Sequence, residues 1–298
     1  MIGLAGLAFA APTDIDTTKA SLPSTDIAKP IAAPEALAPH RALYNVKLGA
    51  SRNGGHVSGI TGKMFFSIAD DCHDWNIEQK MQVRFYYSEG EVSDNLSDLI
   101  SREAKDGSSY YFYSRRKSDK DAAEVLRGEA TLTPDANGAG IGKAVYKGEK
   151  EKQISFNVST LFPVHHTMEL LKQARAGKKF FSTDVFDGAD DAGYNQISAF
   201  IGESVKGDSG KATKAKSEGK DAATDALTAR QGWPIRMAFF APDNERGSPD
   251  YEMDMLLLDN GVIKSMRVDY GDFSMSAELV KAEPLPVAKC AAPPLPPS

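Results

Sequence analysis

Apolar and polar residues alternate along most of the chain after residue 40, so that every second side chain is hydrophobic. The alternation is clear in "RALYNVKL" (41–48), "GKMFFSI" (62–68) and "WNIEQKMQVRF" (75–85), and it returns in "YEMDMLLLD" (251–259) and "VIKSMRVDYGDFSMSAEL" (262–279). Successive side chains of a strand point to opposite faces of a sheet, so a period of two predicts strands with one buried and one solvated face. Such strands usually pair antiparallel.

Turn sequences separate these runs and indicate the fold class. They are "RNGGH" (52–56), "DANGAG" (135–140), "DNG" (259–261) and "YGD" (270–272), and Gly beside Asn or Asp is typical of hairpin turns. The runs number about a dozen or more, and an open sheet of that width curls or closes. We therefore predict an all-β fold: a large curved antiparallel sheet that forms an open β-spiral or barrel-like domain.

One segment follows the helical period instead. In "FPVHHTMELLKQARAGK" the apolar residues Val164, Met168 and Leu171 recur at helical spacing, after Pro163 and before Gly177. Proline is favoured in the first turn of a helix and glycine just after its end. The pattern predicts one amphipathic helix over 163–176 that packs on the sheet or plugs it.

The remaining segments predict how the chain is organised. Residues 1–11 are apolar and end in an A-x-A pattern, which indicates the remnant of a secretory signal peptide. Residues 12–38 are rich in Pro, Ala and Thr and predict a disordered tether. A single β-domain follows over 39–290, with a long polar loop at 203–228 and a Pro-rich tail at 291–298. No apolar run is long enough to span a membrane as a helix.

Composition narrows the function classes. The 298 residues carry a net charge of −6, and the basic residues are scattered. Nucleic-acid binding requires a basic face that the sequence does not indicate. We expect no nucleic-acid partner.

The chain has two cysteines, Cys72 before a strong strand and Cys290 near the end. In an exported protein two cysteines usually form one disulfide, whereas in a cytosolic protein they would be buried free thiols. A redox-active pair is less favoured because no C-x-x-C motif is present. Zinc is weaker still, since the two cysteines with His73 do not make a set of four ligands. We expect no metal and no cofactor.

Two motifs resemble catalytic segments only superficially. "GDSG" (207–210) is similar to the nucleophile segment of chymotrypsin-like proteases, but Ser209 falls in the polar loop and no segment supplies a histidine base. "NGAGIGK" (137–143) is similar to a phosphate-binding loop, but its spacing is wrong and Ala144 replaces the required hydroxyl. The sequence therefore predicts a protein that is not an enzyme.

The helix carries the remaining candidate residues. His165 and His166 each lie about one helical turn from Glu169, so one face can present a nitrogen and a carboxylate to a binding cleft. The alternative is that both histidines bond to nearby backbone or pack at the helix start. Zinc catalysis needs a third protein ligand, and no H-E-x-x-H motif is present.

The ordered set of motifs resembles the EipB-like cell envelope integrity proteins of α-proteobacteria. The motifs, in order, are "LAPHRALYNVKL" (37–48), "CHDW" (72–75), "LRGEATL" (126–132), "TLFPVHHTMELLKQARAG" (160–177), "DVFDG" (184–188), "NGVIKSMRVDYGDFSMSAELV" (260–280) and the terminal cysteine. The resemblance covers nearly the whole chain from His40 to Cys290. It implies a periplasmic protein with an open β-spiral, a disulfide between Cys72 and Cys290, and no established enzymatic activity.

These observations predict a non-catalytic periplasmic protein that supports cell envelope integrity by binding an envelope component through its curved sheet. The partner is an envelope protein, peptide, lipid or glycan. A periplasmic lipid or small-molecule carrier is the alternative, and it predicts a continuous apolar cavity. A third hypothesis, an unrecognised hydrolase, requires His165 or His166 beside a carboxylate in a pocket with perturbed pKa values.

Overall fold

The computed structural model describes residues 37–52, 56–148, 151–191, 193–206, 222–242, 244–245 and 247–290, and these form one antiparallel sheet with two helices. The strands are β1 (His40–Ser51), β2 (Val57–Asp70), β3 (Asp74–Tyr87), β4 (Val92–Ala104), β5 (Ser109–Ser118), β6 (Glu124–Pro134), β7 (Gly140–Tyr146), β8 (Lys152–Asn157), β9 (Phe180–Val185), β10 (Asn195–Ile201), β11 (Val205–Lys206), β12 (Gln231–Phe240), β13 (Tyr251–Leu258), β14 (Ile263–Asp269) and β15 (Phe273–Pro284). The helices are α1 (Pro163–Arg175) and α2 (Ala222–Thr228).

The first and last strands are neighbours in the middle of the sheet. The strand order is β8-β7-β6-β5-β4-β3-β2-β1-β15-β14-β13-β12-β10-β9, with β11 beside β12. The chain thus builds one half outward from β1 and the other half inward to β15. The sheet does not close, because β8 and β9 at its two ends do not pair with each other. The predicted all-β class and open antiparallel sheet are confirmed.

The two ends of the sheet are nevertheless held close together. Leu161, which follows β8, forms a parallel bridge with Val185 at the end of β9. Its backbone N–H donates to the Asp184 carbonyl at 2.9 Å, and its carbonyl accepts from the Phe186 N–H at 3.0 Å. The open sheet therefore curls until its two ends lie side by side, and this curled sheet is here called the spiral.

Helix α1 fills the inside of this spiral. Val164, Leu170 and Leu171 are buried in one core with the inward side chains of β1–β3, β9, β10 and β12–β15. The helix begins at Pro163 as predicted, and Gly177 follows its end in a left-handed conformation with φ 71°. The periodicity of the sequence located this helix because its apolar stripe faces the core.

A second core lies under the other half of the sheet, where Phe186 is fully buried among aromatic rings. Its ring centroid lies 5.1 Å from that of Phe156 and 5.7 Å from that of Phe112. The carbonyl of Asp187 accepts a hydrogen bond from the Tyr110 hydroxyl at 2.9 Å. The segment after β9 thus packs into the inner face of β5–β8.

The structure joins Cys72 and Cys290 in a disulfide with an S–S distance of 2.11 Å. Cross-strand register explains how residues 218 apart in sequence meet, because His40 pairs with Ile68 on one side and with Pro284 on the other. The turn after β2 and the segment after β15 therefore leave the sheet at the same end of these neighbouring strands.

The structure differs from the predicted boundaries at two places. Leu37, at the end of the predicted tether, is buried, and the next residue bonds through its backbone to Asn260. The predicted polar loop over 203–228 contains β11 and α2. Leu227 of α2 is buried against Leu258 and Ala282 of the sheet, which stabilises this helix. Residues 1–36, 207–221 and 291–298 lie outside the described part of the chain, and so do the predictions made for them.

Candidate functional site

Glu103 of β4 holds the start of helix α1. Its carboxylate is fully buried and accepts hydrogen bonds from the backbone N–H of Val164 at 2.7 Å and of His165 at 2.8 Å. These N–H groups have no partner within the helix, and a negative charge is favourable at a helix N-terminus. A strand residue therefore caps the helix from across the core.

His165 pairs with this same carboxylate, its Nδ1 lying 2.6 Å from Glu103 Oε1. The hydrogen bond to Glu103 raises the pKa of His165 against the opposing effect of burial, and the backbone of Lys105 adds a further hydrogen bond. Both contacts favour the protonated form of the ring, in which the two nitrogens donate and neither offers a lone pair to a proton or a metal.

His166 and Glu169 are not brought together. His166 is fully buried, stacks on Phe181 with ring centroids 5.9 Å apart, and has no hydrogen-bond partner for either ring nitrogen among the described residues. Burial lowers its pKa to about 3. Glu169 instead accepts hydrogen bonds from Lys172 at 2.9 Å and Gln173 at 2.6 Å. The sequence placed His165, His166 and Glu169 on one helix but missed Glu103, whose only sequence signal is an acidic residue at an inward position of its strand.

In the described part of the chain, no three His, Cys, Asp or Glu side chains are arranged to hold a metal ion. Two interior cavities lined by described residues are small. One, next to His40 and Tyr44, has a volume of about 30 Å³, and the other, next to Arg116 and Asp187, about 20 Å³. Each has room for one or two water molecules.

A much larger site lies on the outer face of the sheet. Cross-strand pairing aligns a row of outward side chains, here called the outer row: Phe180, Phe200, Arg236, Asp254, Arg267 and Ser276. Beside it runs a second row, here called the floor row, in which four small or apolar residues are followed by a carboxylate: Gly202, Pro234, Leu256, Ser265 and Glu278. The two rows form a groove of about 790 Å³, here called the outer groove.

Charges of both signs line the middle of the outer groove. Asp254 accepts hydrogen bonds from Arg236 Nε at 2.7 Å and from Arg267 at 2.8 Å. Burial by itself raises the pKa of Asp254, but the two guanidinium groups outweigh it and lower the pKa overall. Burial raises the pKa of Glu278, and the charges of Lys264 and Lys47 offset only part of this effect.

An exposed aromatic pair forms one end of the outer groove. Phe180 is 75% exposed and Phe200 is 48% exposed, and their rings meet edge to face with centroids 5.2 Å apart. Sequence reasoning missed the groove, because its residues come from six strands and only register brings them into line. The one sequence signal is an apolar residue at an outward position of β9 and again of β10.

None of the helices in the described residues is long and apolar enough to cross a membrane.

Comparisons with known proteins agree with this architecture. The chain is 29% identical over 250 residues to the cell envelope integrity protein EipB of Brucella abortus, covering 83% of this chain and 84% of the relative. A crystal structure of a β-barrel-like protein of the domain of unknown function DUF1849 from Brucella abortus superposes with a TM-score of 0.72 at 27% identity. That match covers 84% of this chain and 99% of the other. The EipB-like family model matches residues 31–286, and the chain therefore belongs to the EipB-like family.

Proposed function

We propose that this protein is a non-catalytic periplasmic protein that supports cell envelope integrity by binding an envelope component in the outer groove. The name of the Brucella abortus relative supports the envelope role. The Cys72–Cys290 disulfide supports an oxidising compartment, since disulfides are rare in the cytosol.

The groove itself carries the binding proposal. It crosses six strands, and strands lie about 4.8 Å apart, so its length is roughly 24 Å. Its volume of about 790 Å³ falls in the range of roughly 300–1,000 Å³ that is typical of ligand sites. A floor of mainly small and apolar residues, with a carboxylate at one end and ion pairs along one side, suits an extended chain such as a peptide, an acyl chain or a glycan strand.

The inside of the spiral favours a scaffold over a carrier. Helix α1 and Phe186 occupy the two cores, and the two cavities lined by described residues, of about 30 and 20 Å³, are far below the size of a lipid site. Native mass spectrometry of the purified protein separates the two roles. A carrier would retain a stoichiometric lipid or small molecule, whereas the scaffold that we propose would not.

A groove-filling variant tests the function in cells. In a strain that lacks the gene, Ser265→Trp places a bulky ring on the groove floor, and Thr61→Trp places the same ring on the exposed outer face of β2. We expect Thr61→Trp to restore resistance to detergent and cell-wall antibiotics and Ser265→Trp to fail at equal protein levels. Full restoration by Ser265→Trp would contradict binding in the groove.

A further inference from the structure

We propose that the corner where helix α1 runs into strand β9 docks the protein onto an anionic phospholipid surface. This inference rests on the proposed envelope role and identifies what the aromatic end of the outer groove contacts. The corner is formed by "KQARAGKKFF" (172–181) together with Phe200. Below it is called the basic aromatic corner.

Phe180 and Phe200 of this corner belong to neither core. Phe180, at 75%, is the most exposed of the large hydrophobic side chains that the structure describes, and Phe200 beside it is 48% exposed. Strand β9 ends the sheet, and its bridge to Leu161 lies at Val185, at the far end of the strand from Phe180. Two exposed phenylalanine rings in contact form an apolar patch of the kind that marks an interaction surface.

Basic side chains precede Phe180 in the sequence. Lys172, Arg175, Lys178 and Lys179 all lie within eight residues, at the end of α1 and in the turn that follows. Gly177, with φ 71°, follows the end of the helix, and Lys178 and Lys179 lie between it and Phe180 in the chain.

Two carboxylates offset part of that charge. Glu169 binds Lys172 and Glu203 binds Lys179, while Arg175 donates to the backbone carbonyl of Asp259. Lys178 forms no ion pair with any residue that the structure describes. The corner therefore carries a local positive charge, although the whole chain has a net charge of −6.

Exposed aromatic rings next to a basic segment fit a phospholipid headgroup layer. The ring inserts at the boundary between headgroups and acyl chains while the ammonium groups remain at the level of the phosphates. Near an anionic surface each lysine strengthens binding about fivefold, and salt screens this attraction within a Debye length. The Phe180 ring projects from the last strand of the sheet with most of its surface exposed, as insertion into a headgroup layer requires.

Vesicle flotation with the full chain tests the docking surface. We expect binding to vesicles of phosphatidylglycerol and phosphatidylcholine, weaker binding at high salt, and none to phosphatidylcholine alone. Phe180→Ser should weaken binding about tenfold, and the double change Lys178→Gln and Lys179→Gln should weaken it by a similar factor or more.

The matched control lies on the outer face of the other half of the sheet. Leu96 is 43% exposed and pairs across strands with exposed Lys117, so Leu96→Ser with Lys117→Gln removes one apolar and one basic side chain elsewhere. This control should bind vesicles like the unmodified protein. Failure of the unmodified protein to bind anionic vesicles, or an equal loss in the control, would overturn the docking proposal. The outer groove is tested independently. If vesicle binding is absent but Ser265→Trp does not restore the cells, the docking proposal is wrong and the groove proposal is still supported.

Discussion

His166 makes the stability of this protein depend on pH in a way that one substitution can isolate. The ring is fully buried on α1, and neither nitrogen has a hydrogen-bond partner among the described residues. Burial therefore lowers the pKa of the folded histidine to about 3, against its ordinary value of 6.5. Because the folded-state pKa is depressed, the histidine favours folding above pH 6.5, and that stability is lost as the pH falls.

The magnitude follows from proton linkage. Between pH 7 and pH 5 the unfolded histidine takes up a proton while the folded one stays neutral, which lowers the free energy of unfolding by about 2 kcal/mol. His166→Phe keeps a ring that can stack on Phe181 and removes the titration. The free energy of unfolding of the variant, relative to the unmodified protein, should therefore rise by about 2 kcal/mol from pH 7 to pH 5.

Urea unfolding at both pH values, followed by tryptophan fluorescence, measures this difference. Asp187, whose pKa burial raises to about 6, titrates in both proteins and cancels in the comparison. His166→Gln is a useful control, because it also removes the titration but leaves a polar group in an apolar site. It should show the same pH-dependent gain from a lower starting stability. A difference between His166→Phe and the unmodified protein that does not change with pH would refute the reasoning.

Three further predictions concern the glycine, carboxylate and disulfide positions. Gly188→Ala should lower the free energy of unfolding in urea by about 2–4 kcal/mol, because φ is 65° and the new Cβ would lie 2.5 Å from an aromatic ring. Gly177→Ala, with φ 71° but open space, should cost only about 1 kcal/mol, and equal losses would contradict a packing cause. Glu103→Gln should lower the raised pKa of His165, measured by NMR titration, so that less stability is lost as the pH rises above 6.5; an unchanged pKa would exclude Glu103 as its cause. Cys290→Ser should lower the free energy of unfolding by up to about 5 kcal/mol, measured by urea unfolding. A urea midpoint equal to that of the oxidised protein would exclude a stabilising disulfide.

The long strands and helix α1 could be predicted from the sequence because their signals are local. A period of two follows from the pleat of a strand, so "WNIEQKMQVRF" identified β3 whatever its neighbours are. The helical period and the flanking Pro163 and Gly177 likewise located α1. The width of the sheet followed from the number of strands, since many strands in one open sheet must curl.

Only the tertiary structure decided which residues meet. Glu103 and His165 are 62 positions apart, and they form an ion pair because α1 packs inside the sheet with its first turn over β4. The outer groove likewise depends on the register of six strands, which places Phe200 between Phe180 and Arg236. A shift of one residue in any strand would turn its side chains to the other face, and packing of the core, rather than local sequence, selects the register. Periodicity along a strand therefore predicts what is buried, whereas a site that runs across strands exists only once the sheet has assembled.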